Sequence, residues 1–263
     1  MSEKLNTNID PAVPRIDLRI TGPWQNPHEL IAQLLWKRTG YELADQHFVH
    51  LESGRKVTWG VTDHDDEIAE LFAQGDRLSK EEVEEVAGHA VKVHLQAPGG
   101  SIAAARDIMH AATALVKAGG TGVMIDNSGL THSAREWLKL DSDSQDNPTP
   151  GGTYWAYVAT TRTKDAMFTT GMHCFGLRDG ELPYPPDAQI SARILHGFLG
   201  YTYTTTTPVQ DNDPVGDEEG ALWRARAYEC ERIDPGTPFF NPYGIWRLEP
   251  IDLEAQAETE GQP

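Results

Sequence analysis

HAVKVHLQAPGGSIAAARDIMHAATALVKAGGTGVMIDNSGLTHS, residues 89–133, decides the fold. Apolar residues recur every second position at Val91, Val93 and Leu95. They then follow a helical spacing at Ile102, Ala105, Ile108, Met109, Ala112, Leu115 and Val116. Side chains two apart share a strand face and those three or four apart share a helix face, so 89–126 is predicted as strand, helix and strand. Gly119-Gly120 ends the helix. Arg106, His110, Thr113 and Lys117 fall opposite the apolar stripe, which places His110 in solvent.

Upstream, 15–21 alternates like a strand. Asn26 caps a helix with Pro27 at its first position, and Leu30, Ile31, Leu34 and Leu35 form its inward stripe. Short strands at 48–51 and 57–61 flank a turn at 52–55, and 65–74 is an acidic helix. Ser79 with Glu82 makes a capping box for another helix ending near Ala87. Downstream, Thr131 or Ser133 caps a helix over 133–140, and 141–152 is an acidic, Pro/Gly-rich loop. Strands are expected at 154–163, 166–175, 222–233 and 244–250. A helix is expected at 188–199, with Ile190, Ile194, Leu195 and Phe198 inward. Helices and strands alternate imperfectly, with hairpins. The class is therefore α+β, with mixed or antiparallel sheets, βαβ units and a ferredoxin-like arrangement over 89–233. The organisation read is an unstructured lead (1–14), an N-terminal part (15–88) packed on the main domain (89–250), and an acidic unstructured tail (251–263).

The 263 residues suffice to bury a sizeable core. No apolar run reaches the length of a membrane span, and the opening MSEKLNTNIDPAVPR is not a secretory signal. Two cysteines, Cys174 and Cys230, make no disulfide framework, so the expectation is reduced thiols and a cytoplasmic location. The net charge is -18, with ten acids between Asp63 and Glu85 against Arg77 and Lys80. Such a surface repels phosphate backbones, which argues against nucleic-acid and anionic-membrane partners and leaves an unknown protein or small molecule.

The candidate catalytic groups are Asp126, Ser128, His132 and His173, a hydroxyl with nearby imidazoles and a carboxylate. Candidate ligand-binding residues are His94, Gly99, Gly100, Ser101 and Asn127. The Pro-Gly-Gly-Ser turn opening a helix resembles the oxyanion-hole element of Clp-type serine proteases and their crotonase relatives, but the small-residue turn carrying their serine is missing. The candidate metal ligands are His94, His132 and His173, and the run Asp63-His64-Asp65-Asp66 reads more readily as an acidic helix start than as a weak divalent-ion site. There is no H-E-x-x-H or C-x-x-C, and the expectation is no metal and no cofactor.

MIDNSGLTHSAREWLKL and AMFTTGMHCFGLRDGEL resemble the bacterial family of domain of unknown function 4261. The likeness is carried by Trp137, Phe168, Thr170, Gly171, Met172, Phe175, Gly176 and Glu181, over roughly residues 120–200. His173 stands where that family commonly has Glu. The resemblance implies a fold unit and no particular reaction. The functional expectation is a non-catalytic binding or interaction module that engages a peptide or protein through its sheet and the loops 127–133 and 170–176. The alternative is a hydrolase or other small-molecule enzyme.

Overall fold

A computed structural model describes residues 14–74, 77–144, 150–184, 187–216 and 222–251. The deciding stretch folds as read, into β5 (Val91–Pro98), α4 (Ile102–Lys117) and β6 (Gly122–Ile125). Both strands pair antiparallel with β1 (Arg15–Gly22), which lies between them. This is a split βαβ unit: the two parallel strands are separated by a strand from the N-terminal stretch. With β2 (Tyr41–Ala44), β3 (His47–His50), β4 (Lys56–Asp63) and β7 (Thr131–Ser133), they form an antiparallel sheet in the order β2-β3-β4-β5-β1-β6-β7.

One face of this sheet presents Ile16, Leu18, Ile20, Val93, Leu95, Val123 and Ile125, all buried under α4. Part of the other face is covered by α2 (Asp66–Ala73) and α3 (Lys80–Ala87). Their Ile68, Phe72 and Val86 cluster with Met124. Gly122 makes this possible, since a Cβ there would meet Phe72 at 2.5 Å and Val86 at 2.9 Å. Asn26 caps α1 (Pro27–Trp36), and Ser79 with Glu82 closes a capping box on α3, as the sequence predicts.

The second sheet is mixed, in the order β11-β12-β13-β10-β9-β8. It comprises β8 (Ala159–Arg162), β9 (Ala166–Thr170), β10 (Asp179–Pro183), β11 (Asp213–Gly216), β12 (Leu222–Tyr228) and β13 (Ile245–Pro250), with β10 and β13 parallel. Helix α7 (Ala188–Thr204) packs Leu195 and Leu199 against Gly180 of β10. The strands of 89–233 thus divide between two sheets, and the single ferredoxin-like sheet expected for this stretch is not formed. The stretches 15–88 and 89–250 share the first sheet.

Several local expectations are corrected. Residues 152–157 form helix α6 (Gly152–Tyr157), whose Tyr154, Ala156 and Tyr157 are all buried. The strand expected over 166–175 stops at Thr170. Gly171 turns left-handed (φ 108°) and starts a 3-10 turn, Met172–Phe175. Ile31 and Leu35 lie on the exposed side of α1, and Ile190 on that of α7. Helix α5 (Ala134–Ser142) carries Ser133 as its cap. Residues 145–149 of the expected loop, and all but Pro14 and Ile251 of the expected lead and tail, lie outside the described residues.

Candidate functional site

The loop after β6 carries most of the polar residues singled out by sequence, and they act as ties. Asn127 is buried and fully bonded. Its Oδ1 accepts from the Asp17 amide (2.9 Å), while Nδ2 donates to the Arg15 carbonyl (2.8 Å) and to His173 Nε2 (3.0 Å). His173 is thereby packed into the core, and burial holds its pKa down at about 4 against a small pull from the Pro238 carbonyl. His132 is wholly buried with Nε2 on the Ala156 carbonyl (3.0 Å) and Nδ1 facing Glu136 (3.2 Å). Ser128 is buried against Gly171, and its Oγ has no hydrogen-bond partner. Asp126 pairs with Arg19 (2.9 Å); burial raises its pKa and Arg19 opposes the rise. These four groups therefore do not make a nucleophile–base chain. The loops 127–133 and 170–176 are buried apart from the exposed Gly129 and the half-buried Leu130 and Gly176.

The Pro-Gly-Gly-Ser turn is equally committed. Gly99 N–H donates to the Pro14 carbonyl (2.6 Å) and Gly100 N–H to that of Cys174 (3.0 Å), while Ser101 Oγ caps α4. Neither glycine amide is left for an oxyanion. His94 bonds Thr62 through Nε2 (2.9 Å), and burial, then Arg19 and Lys92, bring its pKa down to about 4. Each of His94, His132 and His173 is thus bonded to a different neighbour. Among the described residues no group of three His, Cys, Asp or Glu is placed to hold a metal ion.

A cleft of about 890 Å³ lies elsewhere, between α4 and the β2–β3–β4 arm. Helix α4 contributes Ala104, Asp107, His110 and Lys117; the arm contributes Tyr41, His50, Ser53, Arg55 and Lys56; Asp141 of α5 closes one end. Phe48, fully buried, stacks on Tyr41 (centroids 4.8 Å, 21°), and His50 sits 4.9 Å from the same ring. Burial, then Asp107 and Asp141, push the Tyr41 phenol up to about 12, so it remains a neutral donor. His50 Nδ1 is engaged by the Ser53 hydroxyl and amide. Arg55 pairs with Asp107 across the cleft. His110 Nε2 stands 3.6 Å from Asp141, whose pKa is raised by burial against the pull of His110, Lys117 and Thr113.

Only the hydrophobic period of α4 stood against this site. It put His110 and Thr113 in water, but α5 lies over that face. Thr113 is buried and accepts a hydrogen bond from Trp137 Nε1 (3.0 Å). The available signal was the alanines at 103, 104, 105, 111, 112 and 114, which let neighbours approach α4 from more than one side.

Two further polar groupings lie on the second sheet and its helices. Tyr154 Oη, His196 Nδ1, His196 Nε2 and Thr160 Oγ1 form a chain with two 2.8 Å links, from a buried phenol to an exposed hydroxyl. Asp179 is buried and accepts from Thr169 Oγ1 (3.1 Å), the Met172 amide (3.2 Å) and Asn241 Nδ2 (2.6 Å), while burial raises it to about 7. Glu181 beside it is held by Arg232 (3.0 Å) and Arg247 (2.8 Å). No helix among the described residues is long and apolar enough to cross a membrane. Comparison with known proteins gives no match, whether to family models, curated proteins or solved structures.

Proposed function

We propose that this protein is a non-catalytic binding module, of the bacterial family of domain of unknown function 4261, working in the cytoplasm and seating a small polar ligand in the cleft beside α4. One observation carries the reading. A concavity of about 890 Å³ gathers Tyr41, Asp107, His110 and Asp141 at half-buried positions, where their hydrogen bonds face little competition from water. Ligand pockets commonly occupy roughly 300–1,000 Å³. Most of the loops 127–133 and 170–176 is packed inside the fold, whereas this concavity is open. The acidic surface is a poor match for nucleic acid.

The test is a metabolite screen by thermal shift on the full chain and on Ala104→Trp, whose indole fills the cleft from α4. Ligands are expected to raise the Tm of the native protein and leave the variant unmoved, the two having similar Tm without ligand. A screen in which no compound separates them sinks the reading.

A second reading, a hydrolase, is favoured by the Thr160–His196–Tyr154 chain, a hydroxyl and an imidazole oriented by a third group. It ranks second for a reason of proton placement. The Tyr154 hydroxyl has no other hydrogen bond among the described residues, so its O–H is best used on Nδ1, which leaves Nε2 protonated and unable to take the Thr160 proton. Covalent labelling by a fluorophosphonate that disappears in Thr160→Val would promote this reading. Absence of labelling ends it.

A further inference from the structure

We infer, resting on the cleft reading above, that the ligand is a neutral polyhydroxylated molecule, a sugar. The argument begins with charge. The lining holds Arg55, Lys56 and Lys117 against Glu52, Asp107 and Asp141, so its formal charges balance within a chain of net charge -18. A carboxylate or phosphate would meet Asp107 and Asp141, and an amine would meet Arg55 and Lys117; each would lose on one wall much of what it gains on the other. Asp107 is already matched by the exposed Arg55, and His110 Nε2 stands 3.6 Å from Asp141. The unmatched ones, Glu52, Lys56 and Lys117, are exposed at the rim, where water weakens any ion pair with a ligand.

What the inner wall offers is hydrogen bonding of both signs. Carboxylates accept, Arg55 donates, His50 donates through Nε2 because its Nδ1 takes the Ser53 amide, and the Tyr41 hydroxyl and His110 imidazole can do either. Asp141 lines the same wall, its Oδ1 turned inward 3.6 Å from His110 Nε2. A vicinal diol presents a donor and an acceptor on adjacent carbons and suits such a wall. An apolar ligand would strand these groups unbonded. The Tyr41 ring, backed by Phe48, adds a supported aromatic surface for the C–H face of a pyranose. Balanced charge, mixed donors and acceptors, and one aromatic wall together select a sugar over an ion or a hydrocarbon.

The experiment is saturation-transfer NMR on the full chain, native and Ala104→Trp. The probes are glucose, galactose, mannose and sucrose, alongside inorganic phosphate followed by phosphorus line broadening, putrescine and glycylglycine. At least one sugar is expected to show transfer that falls about tenfold or more in Ala104→Trp and in Asp141→Leu, with little change at 0.5 M salt. Both variants are first shown to be folded by their amide spectra. Phosphate, putrescine or glycylglycine binding in a manner blocked by Ala104→Trp, with no sugar doing so, overturns the sugar assignment and leaves the cleft standing. Sugar transfer unchanged in Ala104→Trp also overturns it. Silence from every probe, together with a thermal-shift screen that separates nothing, removes both readings.

Discussion

Asn127 shows what a polar residue in this loop is for. Its three hydrogen bonds join the backbone of β1, at positions more than 100 residues away, to His173 in the 3-10 turn. Asn127→Ala strands a buried amide, a carbonyl and an imidazole, and should cost about 3 kcal/mol in urea unfolding. The titrating residues are separable by sign. His94, with an ordinary value of 6.5, is held at about 4 when folded, so its contribution is complete above pH 6.5 and lost as pH falls from there through 4. Asp179 runs the other way. Its folded value is about 7 against an ordinary 3.8, so the folded state is favoured while the carboxyl is protonated, and that advantage fades as pH rises from about 4 through 7. His94→Gln should therefore flatten the acid-side loss of stability, and Asp179→Asn the loss between about pH 4 and 7. Unfolding midpoints at pH 4.5, 6 and 8 check both.

At the scale of elements, the segment 166–176 carries the clearest lesson. Its composition reads as one strand, and the register with β8 and β10 does run from Ala166 to Thr170. Gly171 then adopts φ 108°, and a Cβ there would collide with the Tyr157 carbonyl, a backbone atom that cannot swing aside. Gly171→Ala should cost about 3 kcal/mol, since left-handed strain and the collision add, and calorimetry would show the drop in Tm. Strand period could not reveal this stop, because the force ending β9 is the close approach of a distant helix end. Capping motifs were legible by contrast. The Ser79–Glu82 box and the Asn26 cap satisfy amides within three residues and need no tertiary partner.

For the molecule as a whole, the decisive fact is that β1 sits between β5 and β6. Ile16, Leu18 and Ile20 share one core with Val93, Leu95, Val123 and Ile125. Removing residues 1–88 would take β1 out of the middle of the first sheet and β4 from beside β5. A chain beginning at His89 is therefore expected not to fold, shown by collapsed amide dispersion in its NMR spectrum. A dispersed, native-like spectrum from that chain would mean the two stretches are independent units. The alternation of apolar residues in 15–21 marked a strand but carried nothing about where it would insert.

The amino-acid order alone determined the α+β class, the β5–α4–β6 unit and the helix caps, because period and capping depend on residues within a turn or two of one another. The division into two sheets, the burial of most of 127–133 and 170–176, and the cleft by α4 were decided only by tertiary structure. Whether a polar side chain is free or bonded depends on its partners in space. Asn127 meets Arg15 and Asp17, and Asp141 meets His110 across a helix packing that no local spacing encodes.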